Sequence, residues 1–77
     1  MGKSYGFIEI PSTTAAIDAL DHMVKAADVE FVTWEKKLGG RLVTVVVQGS
    51  ISAVTAAVEA ATAYSIKKPV ATAITSM

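Results

Sequence analysis

The chain has 77 residues, of which 52% are hydrophobic and 18% charged, with one histidine and no cysteine. Disulfides and thiolate metal sites are therefore excluded, and one imidazole cannot complete a zinc site that needs three or four protein ligands. Seven basic and seven acidic residues give zero net charge, so no cationic field is present to attract nucleic acid or an anionic membrane surface.

The small size of the chain favours self-assembly. One core of this size rarely supplies more than roughly 3 to 5 kcal/mol, so such domains usually add disulfides, a metal or partner subunits. Partner subunits are the remaining option, and the apolar composition agrees with them. No apolar run approaches the length of a membrane-spanning helix, which is about 18 to 20 residues. Residues 1–5 lack the apolar region of a secretory signal peptide. We therefore expect a cytoplasmic protein.

The first strand and helix have clear signals. Residues 5–10 are rich in strand formers, and Pro11 then ends the strand before a hydroxyl N-cap at Ser12 or Thr13. Residues 13–27 have helical spacing, and their predicted apolar stripe consists of Ile17, Leu20, Val24 and Ala27, with Ala16 and Met23 beside them. The polar face carries two acid-first pairs at i and i+4, Asp18 with His22 and Asp21 with Lys25.

The next two predicted strands are joined by a glycine turn. Residues 29–37 contain Val29, Phe31, Val32 and Trp34, but their alternation is blurred and assigns no faces. The turn lies at Leu38-Gly39-Gly40. Residues 42–47 place valines on one face and mostly apolar residues on the other, a pattern typical of a central strand.

A second helix and a fourth strand complete the chain. Ser50 is the predicted N-cap of an alanine-rich helix with Ile51, Val54, Val58 and Ala61 at helical spacing. Residues 67–69 end this helix, and residues 70–75 form the last strand. The order βαββαβ predicts a ferredoxin-like α/β (α+β) fold over residues 1–77, with a four-stranded antiparallel sheet and both helices on one face.

The chain offers little for catalysis. His22 is the only imidazole and is interpreted as a solvated helix residue, while Glu9 and Glu59 are interpreted as isolated carboxylates. The turn at Gly39 and Gly40 joins two strands, whereas phosphate-binding glycine loops lead from a strand into a helix. The third strand lacks the aromatic and basic residues of RNA-binding sheets. We therefore expect no enzyme, cofactor or metal site.

Several segments together resemble the bacterial microcompartment (BMC) shell domain. They are residues 5–9, 15–27 with the family-like run Asp21-His22-Met23-Val24-Lys25-Ala26-Ala27, residues 32–36, the turn 38–40, the strand 42–47 and residues 49–54. The resemblance covers nearly the whole chain. It implies a structural homohexamer that tiles with other shell proteins into a sheet around enclosed enzymes, in a microcompartment shell in the cytoplasm.

The resemblance also implies roles for single residues. The turn after the second strand would line a pore on the sixfold axis, and the pore residues here are Lys37, Leu38, Gly39, Gly40 and Arg41. Lys25 matches the lysine that packs against its counterpart at the edge of the next hexamer. From the sequence alone Lys25 is a helix lysine paired with Asp21, and both interpretations can hold together.

The chain departs from the family pattern in three places. The loop after the second strand is longer by one residue, and Arg41 stands where a small residue is common; both changes bear on the shape of the pore. The family's Pro-Arg-Pro segment and terminal helix do not follow Ile74, which bears on contacts between hexamers.

A second functional hypothesis and two aromatic residues complete the sequence-based predictions. The fold would also suit a ligand-sensing regulatory module that binds a small metabolite between subunits, although convergent polar groups are lacking.

Trp34 and Tyr64 are interpreted as packing residues, because no cation or stacking partner is evident near Trp34.

Overall fold

A computed structural model describes residues 3–37, 39, 41–65 and 67–76 of the chain. Its elements occur in the predicted order, and their bounds are β1 Ser4–Ile10, α1 Thr13–Ala26, β2 Glu30–Lys37, β3 Leu42–Gly49, α2 Ile51–Tyr64 and β4 Ala71–Ser76. The strands form one antiparallel sheet in the order β2-β3-β1-β4. The ferredoxin-like prediction is therefore confirmed, and β3 lies inside the sheet as its pattern indicated.

The two faces of the sheet have different environments. On β1, residues 4, 6, 8 and 10 are buried and alternate with half-buried ones, and β3 buries Val43, Val45 and Val47 in the same way. Both helices pack on these buried positions, so the core is a single layer between helices and sheet. The opposite face, called here the open face, carries Tyr5, Phe7 and Glu9 from β1 and Leu42, Thr44 and Val46 from β3.

Helix α1 buries a different stripe from the one predicted. Its buried residues are Ala15, Ala16, Ala19 and Met23, with Leu20 and Ala27 partly buried against the core. Ile17 and Val24 were predicted to face the core, but they are 55% and 43% exposed. The reason is steric: small alanines let the helix lie close to the sheet and to α2, and the larger side chains are turned outward.

Helix α2 also packs through small and β-branched residues. It buries Val54, Ala57, Val58, Ala60 and Ala61, whereas Ile51 at its first turn is exposed, contrary to the predicted stripe. Gly6 of β1 lies directly beneath this helix, since a Cβ built there would be 2.7 Å from Val54 Cγ1. The absence of a side chain at Gly6 allows this close approach.

Both helices begin with a serine cap. The backbone N–H groups of Ala15 and Ala53 each donate a 3.1 Å hydrogen bond to a serine hydroxyl, at Ser12 and Ser50 respectively. Such caps satisfy an amide that has no partner within the helix. The structure therefore selects Ser12 as the first cap and confirms Ser50. Neither described helix has the length and apolarity to cross a lipid bilayer.

Strand β2 forms one edge of the sheet, and its irregular pattern has a structural cause. A register shift between Phe31 and Thr33 inserts an extra residue opposite β3, so that the alternation on one side of Val32 is out of phase with the other. Apart from the partly buried Trp34, all residues of this strand are exposed. The bulge explains why the sequence did not assign the faces of this strand.

Candidate functional site: the β2–β3 loop and the outer face of helix α1

The predicted pore residues connect β2 to β3. Lys37 is the last residue of β2, and Arg41 is exposed just before β3 begins. Gly39 has φ of 66°, a left-handed conformation that glycine adopts without steric cost. No atom of the described residues lies within 4 Å of the position of a Cβ at Gly39. Leu38 and Gly40 lie outside the described residues.

The two cations of this loop have different surroundings. Lys37 Nζ lies 3.9 Å from Glu9 Oε2, and these side chains are 49% and 33% exposed. Among the described residues, no carboxylate forms an ion pair with Arg41. Glu35 precedes Lys37 by two residues in the sequence, but among the described residues Lys37 forms its ion pair with Glu9, across β3.

Glu9 is therefore not the isolated carboxylate that the sequence suggested. Thr44 Oγ1 donates a 3.4 Å hydrogen bond to the same Oε2 atom that Lys37 approaches. Glu9 also borders a groove of about 260 Å³ on the open face, whose lining includes Phe7, Ala71 and Ala73. The alternation of β1 places Glu9 on this face, but only the register of three strands places it beside Lys37.

Trp34 is a packing residue, as interpreted, but it has a cation beside it. The indole packs against the core cluster, and Lys36 Nζ lies 5.7 Å from the ring centroid. This distance is within the range of a cation–π contact. The expectation that no cation lies near Trp34 was therefore wrong, because residues two apart on a strand point to the same face.

The outer face of helix α1 carries the predicted edge lysine. Lys25 is 73% exposed at its side chain, and its Nζ lies 3.0 Å from Asp21 Oδ2. One turn earlier, His22 Nε2 lies 3.6 Å from Asp18 Oδ1, and the imidazole is 6.1 Å from the ring of Tyr64. Both predicted pairs at i and i+4 are confirmed. The pairing leaves Lys25 accessible for a contact with another molecule.

Large apolar side chains are exposed on several elements of the single chain. They are Ile17, Val24, Phe31, Val32, Ile51, Tyr64, Val70 and Ile74. In the part of the chain that the structure describes, no three His, Cys, Asp or Glu side chains are arranged to hold a metal ion.

Comparisons with known proteins place this arrangement in context. A shell protein named PduA from Citrobacter freundii is 48% identical over 61 residues, which are 79% of this chain and 64% of that protein. The carboxysome shell protein CcmK2 from Synechocystis sp. is 47% identical over 60 residues, 78% of this chain and 57% of its own length. The chain thus spans less than two thirds of these relatives.

A solved structure and a family model agree with the sequence comparisons. The crystal structure of a microcompartment protein from Desulfitobacterium hafniense matches with a TM-score of 0.85 and 26% identity, covering 96% of this chain and 41% of that one. The family model described as the BMC domain matches residues 4–77. Because this match extends over nearly the whole chain, the protein belongs to the BMC domain family.

Proposed function

We propose that the protein is a structural subunit of a bacterial microcompartment shell and not an enzyme. The observation that carries the proposal is the match of the BMC domain over residues 4–77, together with relatives that are shell proteins of microcompartments and carboxysomes. We take residues 1–77 as one shell domain. The shells of such relatives lie in the bacterial cytoplasm, and we place this protein there.

In this proposal the working form is a cyclic homohexamer. A monomer would leave apolar side chains in water on α1, β2, α2 and β4, and burying them between subunits would add stability that a core of this size lacks. Ile17 on α1 and Ile51 on α2, which are 55% and 51% exposed, are the largest departures from the predicted core. The hexamers would tile with each other and with other shell proteins around enclosed enzymes.

The β2–β3 loop would line a pore on the hexamer axis. Gly39 supports this role because its exposed, left-handed backbone presents no side chain where six loops would converge. Arg41 would give the pore positive charge, since no described carboxylate pairs with it. We therefore expect anionic metabolites to cross more readily than cationic ones.

The assembly is tested by mass and by imaging. Light scattering should give about 48 kDa, which is six chains of 8.0 kDa each, and electron microscopy should show sheets or tubes. A monomer at micromolar concentration would refute the proposal. Discrete oligomers that bind a small metabolite and never form sheets would favour the ligand-sensing module instead.

The pore is tested by transport through assembled sheets. Matched anionic and cationic solutes should cross the wild-type sheet at different rates, and Arg41→Ser should reduce that difference. Lys68→Ser, which removes a cation outside the loop, should leave the selectivity unchanged. Equal permeation in the wild type, or selectivity that survives Arg41→Ser, would mean that Arg41 points away from the axis.

A further inference from the structure

Glu9 and Lys37 are brought together across the width of three strands. Glu9 lies opposite Thr44 of β3, and Lys37, two residues beyond Glu35, lies opposite Leu42 of the same strand. Neighbouring strands are about 4.8 Å apart, so a contact between β2 and β1 has to span roughly 10 Å. Only extended side chains cover that distance, and the Lys37 side chain therefore lies across β3 on the open face.

This path leads the Lys37 ammonium away from the loop. Thr44 lies between the two side chains and donates its hydroxyl to Glu9 Oε2, the oxygen that Lys37 Nζ approaches at 3.9 Å. The Glu9 carboxylate thus has two partners at one oxygen, the Thr44 hydroxyl and the Lys37 ammonium. Of the two cations at the ends of the loop, Lys37 is thus paired with a carboxylate on the sheet, whereas Arg41 has no ion pair among the described residues.

We propose that Glu9 is a specificity-determining residue that sets the charge of the pore by pairing with Lys37. The proposal rests on the pore function proposed above and adds a residue that lies outside the loop. With Glu9 present, each subunit contributes one unpaired loop cation, at Arg41. Without it, the Lys37 side chain is released at the end of β2 and contributes a second positive charge next to the loop.

The expected effect follows from simple electrostatics. If the six released charges are taken to lie about 10 Å from the axis, in water at physiological salt, they enrich a monovalent anion at the axis about threefold. Glu9→Gln should therefore raise the permeation of an anionic solute through assembled sheets about threefold and lower that of a matched cation. The amide oxygen of glutamine can still accept the Thr44 hydrogen bond, so the fold should be preserved.

Two further variants isolate the pair. Glu9→Gln combined with Lys37→Gln should return the anion permeation to that of the wild type, because both charges are then removed. Glu59→Gln, which removes an exposed carboxylate on α2, should leave permeation unchanged. An increase in the double variant as large as in Glu9→Gln would overturn the proposal, since Lys37 would then have no part in it.

A measurement that does not depend on a pore tests the pairing of Glu9 with Lys37 separately from the proposed pore. The acetylation of Lys37 by dilute acetic anhydride, in which the lysine amine takes the acetyl group and acetate leaves, is followed by peptide mass spectrometry. It should be at least about twofold faster in Glu9→Gln, because a paired ammonium is less available. The rate at Lys25 should not change. An unchanged rate at Lys37 refutes the pairing. Faster acetylation of Lys37 in Glu9→Gln supports the pairing. If wild-type sheets nevertheless let anions and cations pass equally, the charge-selective pore is refuted while the pairing stands.

Discussion

Replacing Gly6 by alanine tests how closely α2 packs on the sheet. The added Cβ would lie 2.7 Å from Val54 Cγ1, 3.1 Å from Val58 Cγ2 and 3.4 Å from Val47 Cγ2. Favourable carbon–carbon contacts lie at about 3.5 to 4.0 Å, so the shortest of these is too close by roughly 1 Å. Val54 is fully buried, and a valine in a helix has one strongly preferred rotamer, so it cannot turn away.

The expected cost combines two opposing effects. Overpacking a well-filled core typically costs about 1 to 3 kcal/mol. Removing the backbone freedom of a glycine within a strand returns roughly 0.5 to 1 kcal/mol. We therefore expect Gly6→Ala to lower the free energy of unfolding by about 1 to 2 kcal/mol. For a domain of this size, about 1 kcal/mol corresponds to a fall of roughly 4 to 8 °C in Tm.

The assay is urea unfolding followed by circular dichroism, at one fixed protein concentration because assembly contributes to stability. Val54→Ala by itself should also lower the free energy of unfolding. The double variant Gly6→Ala/Val54→Ala should lose about 1 kcal/mol less than the sum of the two single losses, because the smaller side chain at position 54 makes room for the new methyl group. Gly39→Ala is the control: it costs about 1 kcal/mol through its positive φ and should add independently to Val54→Ala. A neutral Gly6→Ala, or strict additivity with Val54→Ala, would refute the reasoning.

Two further predictions concern the outer face of α1 and the start of α2. Lys25→Ala should leave the hexamer folded but reduce sheet formation in electron micrographs, because the lysine stem and ammonium would both be lost from the edge. Asp21→Ala removes only the ion pair, worth about 0.3 to 0.5 kcal/mol. It should therefore still form sheets, and equal loss in both variants would contradict an edge role for Lys25. Ser50→Ala should lower the free energy of unfolding, measured by thermal unfolding, by about 1 kcal/mol, because Ala53 N–H loses its hydrogen bond to the Ser50 hydroxyl. Ser52→Ala, at an exposed neighbouring position, should stay within about 0.5 kcal/mol of the wild type, and equal effects of the two serine variants would argue against the cap.

Local patterns in the sequence were sufficient for the order of the elements and for several contacts. Strand β3 was correctly placed inside the sheet because both of its faces are largely apolar. The cap at Ser50 and the pair of Asp21 with Lys25 were also predicted, since each depends only on residues three or four positions apart. Such contacts are fixed once the helix forms, whatever the rest of the chain does.

The buried face of α1 was decided by packing between elements. This helix has apolar residues around much of its circumference, and hydrophobicity alone favoured Ile17 and Val24 for the core. The alanines occupy the core side instead, because the distance between the helix, the sheet and α2 leaves room only for small side chains there. That distance is a property of the assembled layers, and no local spacing specifies it.

The ion pair of Glu9 with Lys37 on the open face also could not be predicted from the sequence. Glu9 and Lys37 are far apart along the chain, and Glu35 is the carboxylate nearer to Lys37 in the sequence. Their contact requires β1 and β2 to flank β3 in one particular register, which places Glu9 beside Thr44 and within reach of Lys37. A shift of one residue in either pairing would send one of the two side chains to the helix-covered face, so the pair exists only through the tertiary structure.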